Sequence, residues 1–236
     1  MPAVTLTPLP SASPTPVFQV CSPLQSIPID QIAAAVTNPY NPPPPGSDMP
    51  HAGVDISDLI PGTQIARPGM PIQAALPGLV AMAQPDRFPF GNAALIETPL
   101  DQLPPAWVEA LHLPAPLSWP PPKSALTCPE GILKRTWDTA RRSLYVLYAH
   151  MQAAPVLKTG KDVTCGQAIG VVGKSGNALN PHLHLEVRIG PAGARFTSMA
   201  HYDNSATLEE MAGYCAWSVS GLFQVVDPLA VLGVGK

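Results

Sequence analysis

The sequence predicts a mainly β protein built around an antiparallel sheet, with short peripheral helices. Charged residues make up only 12% of the chain, about half the usual share. This composition disfavours a helical bundle, whose solvent-facing sides are rich in charged residues. Proline accounts for 32 of the 236 residues, which favours stiff, extended loops. Several segments also alternate apolar and polar residues, the period of a half-buried β-strand.

The predicted elements are short and punctuated by Gly and Pro. A short helix is expected within 29–36, followed by a polyproline-like passage at 39–45. A capping box from Thr207 to Glu210 predicts the start of a second helix. The predicted strands lie within 71–84, 92–97, 143–151, 156–172 and 182–188.

We expect a single core domain with additions, because the length suits one sizeable core better than two full domains. A long Pro-rich insertion at about 99–142 interrupts this core, and a connection of that length is typical of a functional or covering element. The expected boundaries are a disordered Pro/Ser/Thr linker at 1–16, an N-terminal extension packing on the core at 17–47, a core domain at 48–200, and a C-terminal tail docking on the core at 201–236.

Charge and hydropathy narrow the possible partners. The net charge of −3 and the isoelectric point near 6.0 provide no basic field, so we expect neither nucleic acid nor an anionic membrane surface as a partner. The sequence contains no run of 18 apolar residues, so we expect no transmembrane segment within it. Residues 1–16 have neither the basic start nor the apolar block of a signal peptide. We expect a native signal or anchor upstream, and an extracellular or cell-envelope location.

Four widely spaced cysteines lack the C-x-x-C spacing of zinc knuckles and thioredoxin-type redox motifs. Four cysteines allow three disulfide connectivities. We expect Cys21 to pair with Cys215, and Cys128 with Cys165, which would tie the two ends together and fasten the insertion. The alternative is four reduced, buried cysteines. Disulfides would agree with an extracellular location.

Two histidines, His182 and His184, lie two residues apart in the stretch 172–188. Alternate residues of a strand point to one face, so both imidazoles are expected on the same side, with α-carbons about 6 to 7 Å apart. Leucine and valine alternate with them, which predicts an apolar face and an opposite face that is functional or solvated. The alternative is a His-x-His pair on an exposed strand without a function.

Two further segments carry candidate side chains. His51 and Asp55 are too far apart in a fully extended strand to share one ion, so a bend is required, and Gly53 can supply it. A lone H-x-x-x-D is weak evidence, and gains weight only beside the downstream pair. His150 ends the predicted strand 143–151, where a histidine is more often structural than catalytic.

Taken together, these residues suit metal-assisted amide hydrolysis. A catalytic zinc takes three protein ligands, commonly His with Asp or Glu, and keeps a fourth position open. Four histidines and one carboxylate would leave two imidazoles for proton transfer. Neither the H-E-x-x-H motif of thermolysin-like enzymes nor the G-x-S-x-G elbow of serine hydrolases is present. Spacing alone does not decide which of His182 and His184 would bind the metal.

The sequence resembles the M23 family of zinc metallopeptidases, of the lysostaphin and LytM type. The motifs that carry the resemblance are H-A-G-V-D at 51–55, Y-A-H-M at 148–151, G-Q-A-I-G-V-V-G at 166–173 and S-G-N-A-L-N-P-H-L-H-L-E-V-R at 175–188. They cover roughly residues 48–195 apart from the insertion. The resemblance implies a LytM-like antiparallel β core and cleavage of peptide bonds in peptidoglycan.

The resemblance also implies a role for each candidate residue. It makes His51, Asp55 and His184 the ligands of a Zn2+ ion. His150 and His182 would be catalytic and serve the water and the transition-state oxyanion. Peptidoglycan peptides are the implied partners, and the insertion, the cysteines and the tail from His201 depart from the core pattern.

Three functions remain open at this point. The first is a zinc endopeptidase acting on peptidoglycan stem peptides or cross-bridges. The second is a non-catalytic M23-like module that binds and regulates another cell-wall hydrolase, and the intact ligand set argues against it. The third is a zinc peptidase directed at proteins or short free peptides.

Overall fold

The structure, a computed structural model, describes residues 18–116, 123–129 and 137–234. The predicted linker at 1–16 therefore lies outside the described residues. The strands, in chain order, are β1 (Val36–Asn38), β2 (Gly53–Ile56), β3 (Pro71–Gln73), β4 (Gly78–Arg87), β5 (Gly91–Pro99), β6 (Asp138–Met151), β7 (Asp162–Val163), β8 (Ala168–Val171), β9 (Leu183–Ala192) and β10 (Gln224–Val226).

Most of these strands form one antiparallel sheet. Its order is β1-β2-β9-β6-β5-β4-β7, and β10 pairs with β9 beside this path. Strands β3 and β8 form a separate antiparallel pair. The prediction of a mainly β, antiparallel fold is confirmed.

Short helices lie at the periphery. Residues 29–36 contain a 3₁₀ helix, Ile29–Ala35, and a second 3₁₀ turn follows β5 at Leu100–Gln102. The α-helices are α1 (Pro105–Ala110), α2 (Leu208–Ser218) and α3 (Pro228–Val231). Thr207 caps α2 through the capping box with Glu210, as its sequence predicts. Among the described residues, no helix combines the length and apolar character needed to cross a bilayer.

The central strands are buried on both faces, because the side chains of each strand alternate between two hydrophobic clusters. Leu147 packs in a cluster with Phe196, Trp217 and other aromatic rings, whereas Tyr148 packs in a larger cluster with Leu24. The N-terminal segment therefore covers one face of the sheet, and the C-terminal helix α2 covers the other.

This second layer changes the interpretation of β9. The face that carries His184 was expected to be functional or solvated, but Glu186 is only 2% exposed and Arg188 only 3%. The guanidinium of Arg188 lies 5.2 Å from the centroid of the Trp217 ring. Glu186 and Arg188, which follow His184 on this face, are therefore buried beneath the C-terminal segment rather than exposed to solvent.

The expected disulfide pairing is wrong. Cys21 is bonded to Cys165, and Cys128 to Cys215. The backbone N–H of Cys21 donates to the carbonyl of Ala75, and the residue after Cys165 donates to the carbonyl of Ala74, so both cysteines lie beside one loop. Cys215 belongs to α2 on the other face of the sheet. The sheet thus separates Cys21 from Cys215.

Proteolytic mapping without reduction should recover two linked fragment pairs, one joining Cys21 to Cys165 and one joining Cys128 to Cys215. The loops closed by these bonds span 144 and 87 residues. Replacing either pair by serine should lower the free energy of unfolding by about 2–5 kcal/mol, measured by urea denaturation. A fragment joining Cys21 to Cys215 would contradict the pairing.

Candidate metal and catalytic site

The register between β2 and β9 brings two candidate ligands together. Asp55 lies directly opposite His184 in this antiparallel pair, and the Oδ1 atom of Asp55 is 2.9 Å from Nδ1 of His184. His51, just before β2, places Nε2 3.2 Å from each of these atoms. The structure therefore brings His51, Asp55 and His184 together, with their ligand atoms within 4.8 Å of one another.

Gly53 allows this close approach. A β-carbon at Gly53 would lie 2.5 Å from the carbonyl oxygen of Leu185 and 2.9 Å from Cε1 of His184. Both separations are shorter than real β-carbon contacts, so any side chain would push β2 away from β9. The glycine expected to supply a bend is needed instead because the His184 ring packs directly over it.

Hydrogen bonds orient the two ligand imidazoles. The Nδ1–H of His51 donates to the backbone carbonyl of Pro39 at 3.0 Å, so Nε2 is the nitrogen that faces Asp55. In His184 the order is reversed, because Nε2 lies 3.3 Å from the Glu186 carboxylate and Nδ1 faces Asp55. A partner on the remote nitrogen is the usual way a protein fixes the tautomer of a metal-binding histidine.

The three residues are coupled electrostatically through their hydrogen bonds. Burial raises the pKa of Asp55, but hydrogen bonds from His184 and His51 outweigh it and hold that pKa far below its ordinary value. Burial lowers the pKa of His184, yet its bonds to Asp55 and Glu186 raise it to about 9. Asn38 donates to the second oxygen of Asp55 at 2.9 Å. Two imidazoles and a carboxylate aimed at one point form a donor set that suits Zn2+.

His150 and His182 lie beside this set. Their ring centroids are 4.7 Å apart, and the ring of His150 is 5.8 Å from that of His184. The Nδ1–H of His150 donates to the Ser175 carbonyl at 2.8 Å, and that of His182 donates to the Asn180 carbonyl at 2.8 Å. In both rings Nδ1 is therefore engaged by the backbone, and Nε2 is the nitrogen left for other partners.

The placement of His150 is strained. It adopts a φ of 62°, in the left-handed region that disfavours side chains. Burial, together with the neighbouring imidazoles of His184 and His182, lowers the pKa of His150 to about 3. A residue held in a sparsely populated conformation and kept neutral is consistent with a functional rather than a packing role.

A cleft of about 580 Å³ opens over the five residues. Its lining includes the loop before His51, residues Asn177, Leu179 and Asn180, and the side chains of Tyr202 and Tyr214. Phe90 lies in the lining with its ring 6.3 Å from that of His184. The candidate side chains therefore face a space large enough for an extended peptide.

Residues 137–196, which run from β6 through β9, match the model of peptidase family M23. The matched segment contains His150, His182 and His184, whereas His51 and Asp55 lie outside it. The resemblance to peptidase family M23 is confirmed. The segment that holds these three histidines is thus similar to M23 peptidases, and its strands β6 and β9 are adjacent and antiparallel.

Solved structures of M23 proteins also align with the chain. A mutant catalytic domain of the prophage-encoded M23 protein EnpA from Enterococcus faecalis is 24% identical, with a TM-score of 0.39, over 68% of this chain and 85% of that one. The antimicrobial peptidase lysostaphin from Staphylococcus simulans is 16% identical, with a TM-score of 0.43, over 94% and 57%. A zinc-containing peptidase from Vibrio cholerae is 21% identical, with a TM-score of 0.35, over 64% and 32%.

Sequence reasoning missed the residues that orient the site. Asn38 and Pro39 lie outside every motif. Ser175 and Asn180 lie within the motif at 175–188, but they act through backbone carbonyls, which any residue type supplies. Glu186 offered a signal, because it lies two residues after His184 on the same face of β9. The Nε atom of Arg188 donates to the other oxygen of Glu186, so this carboxylate links His184 to the buried guanidinium.

Gly53→Ala tests the close approach of β2 and β9. The added methyl must displace the Leu185 backbone or the His184 ring, so the free energy of unfolding should fall by about 1–3 kcal/mol in a urea titration. The NMR resonances of the His184 ring should shift as well. An unchanged stability together with unchanged imidazole resonances would contradict the tight packing described here.

Proposed function

We propose that the chain is a zinc-dependent endopeptidase that hydrolyses peptide bonds in peptidoglycan stem peptides or cross-bridges. The observation that carries the proposal is the convergence of His51, Asp55 and His184 on one cleft, with His150 and His182 beside them. The M23 match supports peptidase chemistry. Peptidoglycan as the substrate follows from the family resemblance.

The ligand set leaves room for catalysis. His51, Asp55 and His184 would hold the ion, and three protein ligands are the number that catalytic zinc sites use. When bound, zinc supplies a Lewis acid that polarises the scissile carbonyl and makes water a stronger nucleophile at neutral pH. Glu186 keeps the remote nitrogen of His184 occupied, so that Nδ1 stays directed at the ion.

The remaining two imidazoles would take part in proton transfer. In both His150 and His182, the Nδ1–H is engaged by a backbone carbonyl, which leaves Nε2 available for proton exchange beside the ligand set. At that atom His182 can accept a proton from the attacking water and donate it to the leaving nitrogen, whereas His150, a weak base because its pKa is lowered, would orient the water as a hydrogen-bond acceptor. The Ser175 and Asn180 carbonyls hold the rings in this tautomer throughout, because the Nδ1–H bonds do not change.

An extracellular or cell-envelope location belongs to the same proposal. Among the described residues, all four cysteines are joined in disulfides. Disulfides form and persist in oxidising compartments, where a peptidoglycan-directed enzyme would meet its substrate.

Replacing one ligand and one proton carrier should separate metal binding from catalysis. His184→Ala should lose stoichiometric zinc, measured by elemental analysis after dialysis, and also hydrolysis of purified sacculi. His182→Ala should retain zinc but lose about 10²–10⁴-fold in rate. His112→Ala is the matched control, because His112 is exposed and lies outside the cleft lining; it should retain both.

A His184→Ala protein that keeps its full zinc content and its full rate of hydrolysis would contradict the proposal. Wild-type protein that binds zinc but leaves sacculi intact, with or without chelator, would indicate the non-catalytic module instead. New amino termini released from proteins or free peptides, but not from sacculi, would indicate a peptidase with a different substrate.

Activity should fall as the pH drops below about 6, because protons compete with zinc for the imidazole ligands. Without the ion, burial lowers the pKa of His184 but its bonds to Asp55 and Glu186 raise it to about 9, so zinc must displace a proton from this ring. His150 does not contribute to this acid limb, since its pKa is lowered to about 3 and the ring stays neutral across the range. The pH profile of hydrolysis, recorded with zinc content at each pH, checks this. Flat activity down to about pH 4 would contradict the mechanism.

A further inference from the structure

One wall of the cleft is built from Asp48, Tyr202 and Tyr214, which we call the tyrosine wall. The hydroxyl groups of both tyrosines donate to the same oxygen, Oδ2 of Asp48, each at 2.8 Å. The two rings are 6.3 Å apart with an interplanar angle of 76°. All three residues line the cleft. The wall therefore presents a carboxylate framed by two aromatic rings.

The tyrosine wall lies within reach of a peptide bound at the candidate catalytic residues. Asp48 precedes His51 by three residues, so their α-carbons are at most about 11 Å apart. On the other side, the Tyr214 ring is 5.6 Å from that of Phe90, which in turn is 6.3 Å from that of His184. An extended peptide advances about 3.3 Å per residue. A side chain a few residues from the scissile bond would reach the wall.

The charge of Asp48 is not balanced by a neighbouring cation. Its hydrogen-bond donors, the two tyrosine hydroxyls, are neutral, and no ion pair joins Asp48 to any residue in the described ranges. Among the described residues that line the cleft, Arg188 is the one Lys or Arg side chain, and it is paired with Glu186. The two hydroxyls donate to one oxygen of Asp48 but carry no charge, so the carboxylate can still pair with an incoming cation.

Tyr202 leaves part of this wall open to a ligand. Its side chain is 58% exposed although it lies beside the buried His201, with the two ring centroids 4.5 Å apart. Its backbone φ of 61° lies in the left-handed region, which is unfavourable for a tyrosine. The chain thus holds a large aromatic side chain at the cleft edge at a conformational cost, while its hydroxyl stays bound to Asp48.

We propose that the tyrosine wall is a subsite for a primary ammonium group on a peptide bound in the cleft. The ammonium would pair with the Asp48 carboxylate and lie against the Tyr202 ring face. A carboxylate together with aromatic faces is the surrounding that favours an alkylammonium ion over a neutral chain. The subsite deepens the proposed function, on which it rests only for the identity of the bound chain as a peptide.

Part of the insertion holds the wall in place. The N–H of Ala125 donates to the Gly46 carbonyl at 2.8 Å, two residues before Asp48. The carbonyl of Thr127 lies 3.0 Å from Nε2 of His201. Cys128 is bonded to Cys215, the neighbour of Tyr214. Residues 123–129 therefore fasten both parts of the wall, so that the subsite is formed before a ligand arrives.

The test compares matched peptides. The probes are acetyl-capped, amide-ended hexapeptides of alanine and glycine that carry one lysine, and the same peptides with Nε-acetyl-lysine, scanned through all six positions. Dissociation constants for the full chain are measured by NMR titration. At one or two adjacent positions, the lysine peptide should bind about five- to tenfold more tightly. The difference should shrink in 0.5 M salt, as expected for a charge pair.

Three variants assign the preference to the wall. Asp48→Asn should bring the affinity ratio of lysine to acetyl-lysine peptide to about one. Tyr202→Leu should roughly halve the ratio, and it does not open the core because Tyr202 is largely exposed. Asp162→Asn is the matched control. Asp162 is an exposed carboxylate on β7, at the opposite edge of the sheet from β1 and β2, so its loss should leave the ratio unchanged.

Equal affinities at every position, no measurable binding of any lysine peptide, or a preference that survives Asp48→Asn in a folded protein would each overturn the subsite. Its failure is distinguishable from that of the proposed function. A lysine preference without hydrolysis by the zinc-loaded protein would support the subsite and count against the peptidase. Hydrolysis of sacculi without any lysine preference would support the peptidase and count against the subsite.

Discussion

The register of β2 against β9 is the constraint on which the candidate site depends. Asp55 faces His184 only in this register, and a slip by one residue would turn each side chain to the other face of the sheet. Neighbouring pairing with β6 sets Ala149 opposite His184 and so delivers His150 next to it. Gly53 permits the register because the imidazole packs where a side chain would stand. The sheet thus assembles the site from backbone hydrogen bonds.

Around this frame, each candidate histidine has one nitrogen engaged and the other directed at the cleft. Three of the four rings rely on backbone carbonyls, which carry no charge and can belong to any residue type. The exception is His184, whose remote nitrogen faces the carboxylate of Glu186, which forms an ion pair with Arg188. The partners are Pro39 for His51, Ser175 for His150, Asn180 for His182 and Glu186 for His184.

Sequence reasoning reached the fold class and the five candidate side chains because both are encoded locally. Alternation along β6 and β9 predicts strands, and motif spacing identifies the histidines. The disulfide pairing could not be obtained in this way. Cys21 and Cys215 lie on opposite faces of the sheet, and the sequence does not show which face each segment covers. The burial of Glu186 and Arg188 was missed for the same reason, because it depends on Trp217 and the C-terminal segment packing over β9.

The separation of the candidate ligands along the chain affects how the protein folds. His51 and Asp55 are four residues apart in the sequence, whereas His51 and His184 are 133 residues apart. Contacts of such high order form late, because closing a long loop must precede any gain from them. A metal ion could not nucleate this fold as it does in a small zinc finger. It would instead bind to the assembled sheet and stabilise the pairing of β2 with β9. The rate at which these strands separate in the native state would then set the rate of metal dissociation.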